Sequence, residues 1–242
     1  MIFCLITLWS FLLPQAEATP GDVVAKAVRD LRERKGYRVD FSSTARPPKS
    51  DPLEKKGYAI VINPDILYLD YEGSGKQIVR LIRKGQKALR FHPVLEEWID
   101  PLLYEGEESD GGGIYDIDRL LSEVLLHLPE VKKEGEERVA DAPCVKLAIA
   151  FTGTTLKEIV ARQEIDAESV RWDDSAAEVR LWIGKEDGRI RRLTVEGTVL
   201  CERQAGATET IAYEAEAAIG AGDRGLDLSH VPEKVRKSVG IE

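Results

Sequence analysis

The residues best suited to chemistry in this chain fall in RLIRKGQKALRFHPVLEEWIDP, residues 80–101. His92, Glu96, Glu97 and Trp98 stand close together there. A histidine with two carboxylates is the raw material of a metal site or of general acid–base catalysis. A zinc site needs three or four converging ligands, and His127 and His230, the other two histidines, stand at no ligand spacing from His92. No H-E-x-x-H occurs. Glu96 and Glu97 are neighbours, and neighbours on a strand point to opposite faces, so the two do not act as a pair. The plainer reading is that His92-Pro93 ends a strand, the carboxylates are solvated and Trp98 anchors the next strand.

Other chemistry is no better supplied. There is no G-x-S-x-G, and neither Cys144 nor Cys201 has a histidine near it in sequence. EGEESDGGG, residues 105–113, is acidic and then glycine-rich, with no Gly-Lys-Ser/Thr opening a helix. It reads as an exposed loop and not as a phosphate cradle. No catalytic residue, metal or cofactor is expected, and the chain does not read as an enzyme. The formal charge is −9, with Lys and Arg spread along the chain. Nucleic acid is therefore not an expected partner, because phosphate binding needs a concentrated cationic face.

The N-terminus reads as an export signal. MIFCLITLWSFLLP is apolar and uncharged, and Ala16–Ala18 offers a small-x-small cleavage site. Residues 1–18 read as a signal peptide. Ile2 to Leu13 is too short to span a bilayer comfortably. Cys4 has no Leu-small-small-Cys context at the cleavage point, so no lipid anchor is expected. The mature protein is expected to be soluble, in the periplasm or cell envelope. Two cysteines then remain, Cys144 and Cys201. In an oxidising compartment they either form a disulfide or stay as two buried free thiols. A CxxC redox spacing is absent.

The elements that would position any site follow from periodicity. Val23, Val24, Ala27, Val28 and Leu31 recur at helical spacing, with Asp22 as N-cap and Gly36 as stop. From Tyr37 the period becomes two, through YRVDFSSTA, KKGYAIVINP, DILYLDYEG and a hairpin turning near Gly85-Gln86. YDIDRLLSEVLLHLPE is a second helix, capped by Asp116 and stopped by Pro129. Strands return in GEERVADAPCVKLAIAF, in AEVRLWIGKEDGRIRRLTVEGTV and in ETIAYEAEAAI. TTLKEIVARQEIDAESVRW fits a helix or a strand. Ser229 is placed to cap a short last helix. This order predicts a single α+β domain over residues 19–242. It would be an unclosed antiparallel β-barrel, a curved sheet of about ten strands with two or three helices over the concave face. Such a sheet leaves an apolar hollow between itself and its helices.

The N-terminal amphipathic helix, YRVDF, NPDILYLDY and QIVRLIRKGQKALRFHPVLEEW, followed by ERVADAPCVKLAIAF and AEVRLWIGKEDGRIRRLTV, resemble the LolA / LppX family of bacterial envelope carriers. The resemblance spans most of residues 22–205 and includes a loose match of Gly85, Lys87, Leu89, Phe91, His92 and Pro93 to a family hairpin. It implies a half-barrel that holds lipid, or the acyl chains of lipoproteins, without metal or cofactor. It also implies membrane-bound donor and acceptor proteins as partners of a monomeric carrier. Leu121, Leu125 and Leu128 would cover the hollow as a lid, with Trp98 and Trp182 lining it, or these residues are ordinary core. The competing expectation is an envelope interaction or sensor module on the same fold, its hollow filled by its own side chains.

Overall fold

A computed structural model describes residues 18–62, 65–101, 116–153, 155–156, 170–202, 207–220 and 226–241. The expected leader lies outside them except for Ala18. So do the loop 105–113 and residues 157–169 of the stretch that fits either helix or strand.

The first helix, α1 (Pro20–Arg32), starts three residues earlier than its pattern suggests. Thr19 is the N-cap: its Oγ1 accepts from the Asp22 amide at 3.2 Å, and Asp22 Oδ2 accepts from the Thr19 amide at 3.0 Å. Asp22 is thus the third-position partner of a capping box and not the cap itself. Pro20 fixes the first turn, where its missing N–H costs nothing. Gly36 does not stop the helix but opens the first strand. A Cβ there would stand 2.3 Å from the Val61 carbonyl oxygen.

The strands are β1 (Gly36–Arg46), β2 (Leu53–Ile62), β3 (Ile66–Gly73), β4 (Gln77–Lys84), β5 (Lys87–His92) and β6 (Glu97–Ile99). After them come α2 (Ile117–Leu126), β7 (Lys132–Val139), β8 (Ala142–Thr152), β9 (Ala176–Gly184), β10 (Ile190–Glu202), β11 (Thr208–Ile219) and α3 (Glu233–Ser238). The described strands form one open antiparallel sheet in the order β6-β5-β4-β3-β2-β1-β11-β10-β9-β8-β7. It consists of two meanders joined where β1 pairs with β11, from Val39 opposite Ile219 to Arg46 opposite Ala212. The chain leaves the sheet at one edge, β6, and re-enters at the other, β7, with α2 between them. This is the expected unclosed half-barrel, with eleven strands in place of about ten.

Period two divides the sheet into faces. The inner, concave face carries Val39, Leu69, Leu147, Leu181 and Leu193 against Val24, Val28 and Leu31 of α1 and Ile117, Leu121 and Val124 of α2. Each such side chain, fully buried, contributes about 1.5–3 kcal/mol. The third helix departs from expectation. It lies on the outer face, where Val235, Val239 and Ile241 pack on Ile60, Tyr68 and Ile82. Its sequence is too short to show which face it would choose. Ser229 does not cap it: its hydroxyl donates to Asp227 Oδ2 at 2.6 Å, and the helix begins after Pro232, which supplies no side-chain cap.

Curvature has a local cause on the inner face. Gly57 stands between Phe41 and Tyr71, whose rings meet edge-on at 6.1 Å between centroids. A Cβ on Gly57 would lie 2.2 Å from the Asp70 carbonyl oxygen and 2.5 Å from the Tyr71 Cα. Glycine there lets the strands close up and the sheet coil. Gly57→Ala is expected to destabilise the fold by about 1–3 kcal/mol, read as a lower urea midpoint. Gly135→Ala on β7, where nothing lies within 4 Å of the added carbon, should stay within about 0.5 kcal/mol. Equal midpoints for the two variants would remove Gly57 as the cause.

Candidate functional site: the inner face of the half-barrel

Burial along the inner face changes from one end to the other. Toward the end where β9 turns into β10, Tyr37, Val39, Ile183, Ile190, Leu193 and Ile219 are buried. Toward the end where β1 turns into β2, Ser43, Ala45, Val195, Gly197 and Tyr213 are only half-buried. That second end is the mouth of the half-barrel. It also holds the turns between β3 and β4 and between β5 and β6, because Lys55 pairs with Gly73 and His92 with Glu97.

Side-chain size falls along the seam near this mouth. Ser43 faces Ala215, Ala45 faces Tyr213, and Gly197 stands between Tyr213 and Ala177. The result is a strip of small side chains flanked by Phe41, Tyr71 and Tyr213. Burial raises the Tyr213 hydroxyl above the ordinary phenol range, and Ser43 hydrogen-bonds to it. Burial, then the nearby Asp118 and Asp116, raise Tyr37 in the same direction. Both phenols therefore stay neutral across physiological pH. Two buried charges share this face by alternation: Glu209 on β11, paired with Lys49 at 3.4 Å, and Arg90 on β5. The strip is suited to holding an apolar group. Nothing in its sequence announces it except small residues at alternate positions of DFSSTAR, TVEGTV and YEAEAAI.

The candidate residues separate by face. Leu121 is fully buried on the inner face, and Leu125 and Leu128 pack half-buried beside it. Trp98 and Trp182 lie on the other side of the sheet. Trp98 packs on the outer core, with its ring 5.8 Å from Phe91. Trp182 is buried beneath charge: Arg192 lies 4.7 Å and Lys146 5.4 Å from its ring centre, and its Nε1 donates to Glu137 Oε2 at 2.9 Å. The two tryptophans therefore do not line a hollow with the three leucines. The signal was present in sequence, since Val179, Leu181 and Ile183 alternate and leave Trp182 facing away. Around Trp182, Lys146 hydrogen-bonds to Glu134 and holds its carboxyl below the usual carboxylate range.

The histidines do not converge. His92 Nδ1 accepts from the Leu95 amide at 3.1 Å, His127 packs edge-on against Phe151, and His230 against Tyr68. Among the described residues no group of three His, Cys, Asp or Glu side chains is placed to hold a metal ion. Among them, too, no helix is long and apolar enough to cross a membrane.

No family model matches the chain, and no curated protein matches its sequence. Solved structures do match its fold. LppX, a lipoprotein of Mycobacterium tuberculosis, superposes with a TM-score of 0.50 at 11% identity, over 83% of this chain and 93% of its own. LprF from Mycobacterium bovis gives 0.45 at 10% identity, over 84% and 91%. A LolA superfamily protein from Nitrosomonas europaea gives 0.33 at 11% identity, over 89% and 100%. The likeness to LppX establishes a LolA/LppX-like fold, and at that identity it speaks of fold alone.

Neither cysteine is in a disulfide: Cys144 is buried and Cys201 half-buried. Cys144 stands opposite Gly184 at one end of β9, while Cys201 lies beyond Thr198, the partner of Ala176 at the other end. The length of β9 separates them by roughly 26 Å along the strand direction, whereas a disulfide needs Cα atoms within about 7 Å. The candidate disulfide is not formed in this structure. The protein of residues 19–242, denatured without reductant, should release two titratable thiols. In the native state Cys144 should react slowly with a thiol reagent, because burial raises its pKa. A denatured count of zero would contradict the strand register.

Proposed function

From this LolA/LppX-like half-barrel, we propose that the chain is an exported, non-catalytic carrier. It binds lipid or lipoprotein acyl chains on the inner face and moves them through the periplasm or envelope. Residues 1–18 serve as its signal peptide, and residues 19–242 act as a monomer between membrane-bound donor and acceptor proteins. The observation that supports this is the strip of small side chains at the mouth, where Ser43, Ala45, Gly197 and Ala215 leave the inner face low beside the ring of Tyr213. Acyl burial contributes about 0.8 kcal/mol per CH₂, so a chain lying along this strip gains several kcal/mol after the cost of ordering it. Leu121, Leu125 and Leu128 of the α2 segment form one wall. That segment bridges the two edges of the sheet, so a shift of it opens the space.

A second reading has one observation in its favour. Ile117, Leu121 and Val124 are fully buried, as they would be in an interaction or sensor module whose hollow is already filled. Native mass spectrometry of residues 19–242 recovered from a bacterial periplasm separates the two. The carrier should bring an acyl-chain species that shifts its folded mass and is removed by solvent. Ala45→Phe, which fills the strip, should cut that occupancy about tenfold while leaving the melting temperature within a few degrees. A clean mass for the unaltered protein, unchanged after incubation with phospholipid and lipopeptide, would favour the interaction module.

A further inference from the structure

The large hydrophobic side chains that remain exposed among the described residues share one end of the molecule. They are Leu53, Ile78, Val94, Leu95 and Leu126, with Val94 83% and Leu95 57% exposed. Leu53 opens β2 at the first turn, opposite Ala45. Ile78 follows the β3–β4 turn, opposite Glu72. Val94 and Leu95 form the tip between His92 and Glu97. Leu126 ends α2 beside His127, whose ring meets Phe151 at 5.6 Å. Phe151 pairs with Ala177, Ala177 with Gly197, Gly197 with Tyr213 and Tyr213 with Ala45, which faces Leu53. All five therefore stand at the mouth. The opposite end offers charged and polar tips, such as Lys84-Gly85-Gln86-Lys87 and Lys185-Glu186-Asp187-Gly188.

Scattered exposed leucines are ordinary on a protein surface. Gathering on separate tips at one end is not. Charge follows the same pattern. Residues 46–56, 72–78 and 92–97 carry five basic and five acidic side chains, so these tips are neutral on a chain of net −9. These three tips thus carry no net acidic charge to oppose an approach to a membrane surface. Lysines beside Leu53 and Ile78, such as Lys55 and Lys76, have stems long enough to lie along acyl chains while their ammonium groups stay in water.

We propose that the mouth of the half-barrel seats on a lipid bilayer, with Val94 and Leu95 of the β5–β6 tip entering the interface and Leu53, Ile78 and Leu126 completing the contact. A fluid surface accepts separated projecting tips, whereas a protein partner needs a contiguous complementary patch of about 800 Å² per side. The purpose of this seat rests on the carrier reading, since it would set the small-residue strip against the membrane from which a chain enters. Because the tips are neutral, apolar insertion and not charge holds the protein there.

The test is flotation of residues 19–242, which contain every described element, with vesicles of pure phosphatidylcholine. The protein should float with the vesicles equally at low salt and at about 1 M salt, where the Debye length is about 3 Å. Val94→Asp with Leu95→Asp should lower the bound fraction about tenfold or more, with an unchanged melting temperature. Gln86→Asp, at the opposite end, should leave it unchanged. Native mass spectrometry of the same samples reports acyl occupancy. Acyl occupancy without flotation would overturn the seat, leave the carrier reading standing and assign the tips to a protein. Flotation that the double variant keeps, or that salt abolishes, would also overturn it. Flotation lost in the double variant, with no acyl occupancy in either protein, would support the seat and remove the carrier reading.

Discussion

The pairing of β1 with β11 is the contact on which the rest of the structure depends. Every other ladder in the described sheet joins strands adjacent in the chain, all but β8–β9 across a short connection. The seam joins strands from opposite ends of the chain, and its loop-closure entropy must be met before it returns any free energy. Without it the protein would be two meanders of six and five strands, each with one greasy face. With it, the two faces become one, and α1 and α2 can cover both halves from a single side. The ion pairs across the seam region, Arg46 with Glu214 at 3.0 Å and Arg192 with Glu216 at 2.9 Å, are exposed and add little. Backbone pairing and inner-face burial hold it. The strip of small residues lies along this same seam, so the line that joins the halves is also the line where the inner face is lowest.

The outer face is protected in two ways. Over β2 to β4 it is apolar, and the C-terminal segment lies across it, with Leu228, Val231 and Val235 against Ile60, Tyr68 and Ile82. Over β8 to β10 the sheet shields itself with long charged side chains. Lys146 and Arg192 lie over Trp182, while Arg180 reaches Glu196 at 2.7 Å and Glu134 at 3.4 Å. Such side chains bury their carbon stems and keep their charges wet. The first half of the sheet is thus packed on both sides and the second half on one. Strand β9 shows the difference, with Val179, Leu181 and Ile183 in the core and Glu178 and Arg180 on the other face in an ion-pair lattice.

Much of this was legible in sequence because two periods carry it. The hairpins at Gly85-Gln86 and across residues 184–190 appear where alternation breaks at turn residues. Asp116 caps α2 as its position suggests, its side chain accepting from the Arg119 amide at 3.3 Å. What stayed hidden depends on three dimensions. Which meander edge meets which is set by the seam, and no local pattern encodes it. The face chosen by α3 depends on a patch built by Ile60, Tyr68 and Ile82, which belong to three different strands. Trp98 and Trp182 attracted notice as large aromatic residues, yet strand parity already placed Trp182 away from the leucine wall. The strip is silent in sequence for the opposite reason: Ser43, Ala45 and Gly197 matter through what they lack.

A fold shared at 11% identity follows from the same physics. The half-barrel asks for alternation on its strands, apolar stripes on two helices and a seam, and many sequences meet those demands. Identity is constrained only where geometry leaves no choice, as at Gly57, where a single carbon would enter the neighbouring backbone. Within the strip Gly197 is held in the same way, since a Cβ there would lie 2.8 Å from the Ala176 carbonyl oxygen, but Ala45 and the apolar tips are under no such demand. A larger side chain than Ala45 or a polar one at Leu95 would leave the ladders intact. Their present character, small within and apolar at the tips, is therefore not explained by stability. Together they mark a line from the end of the molecule to its inner face, which the fold alone does not require.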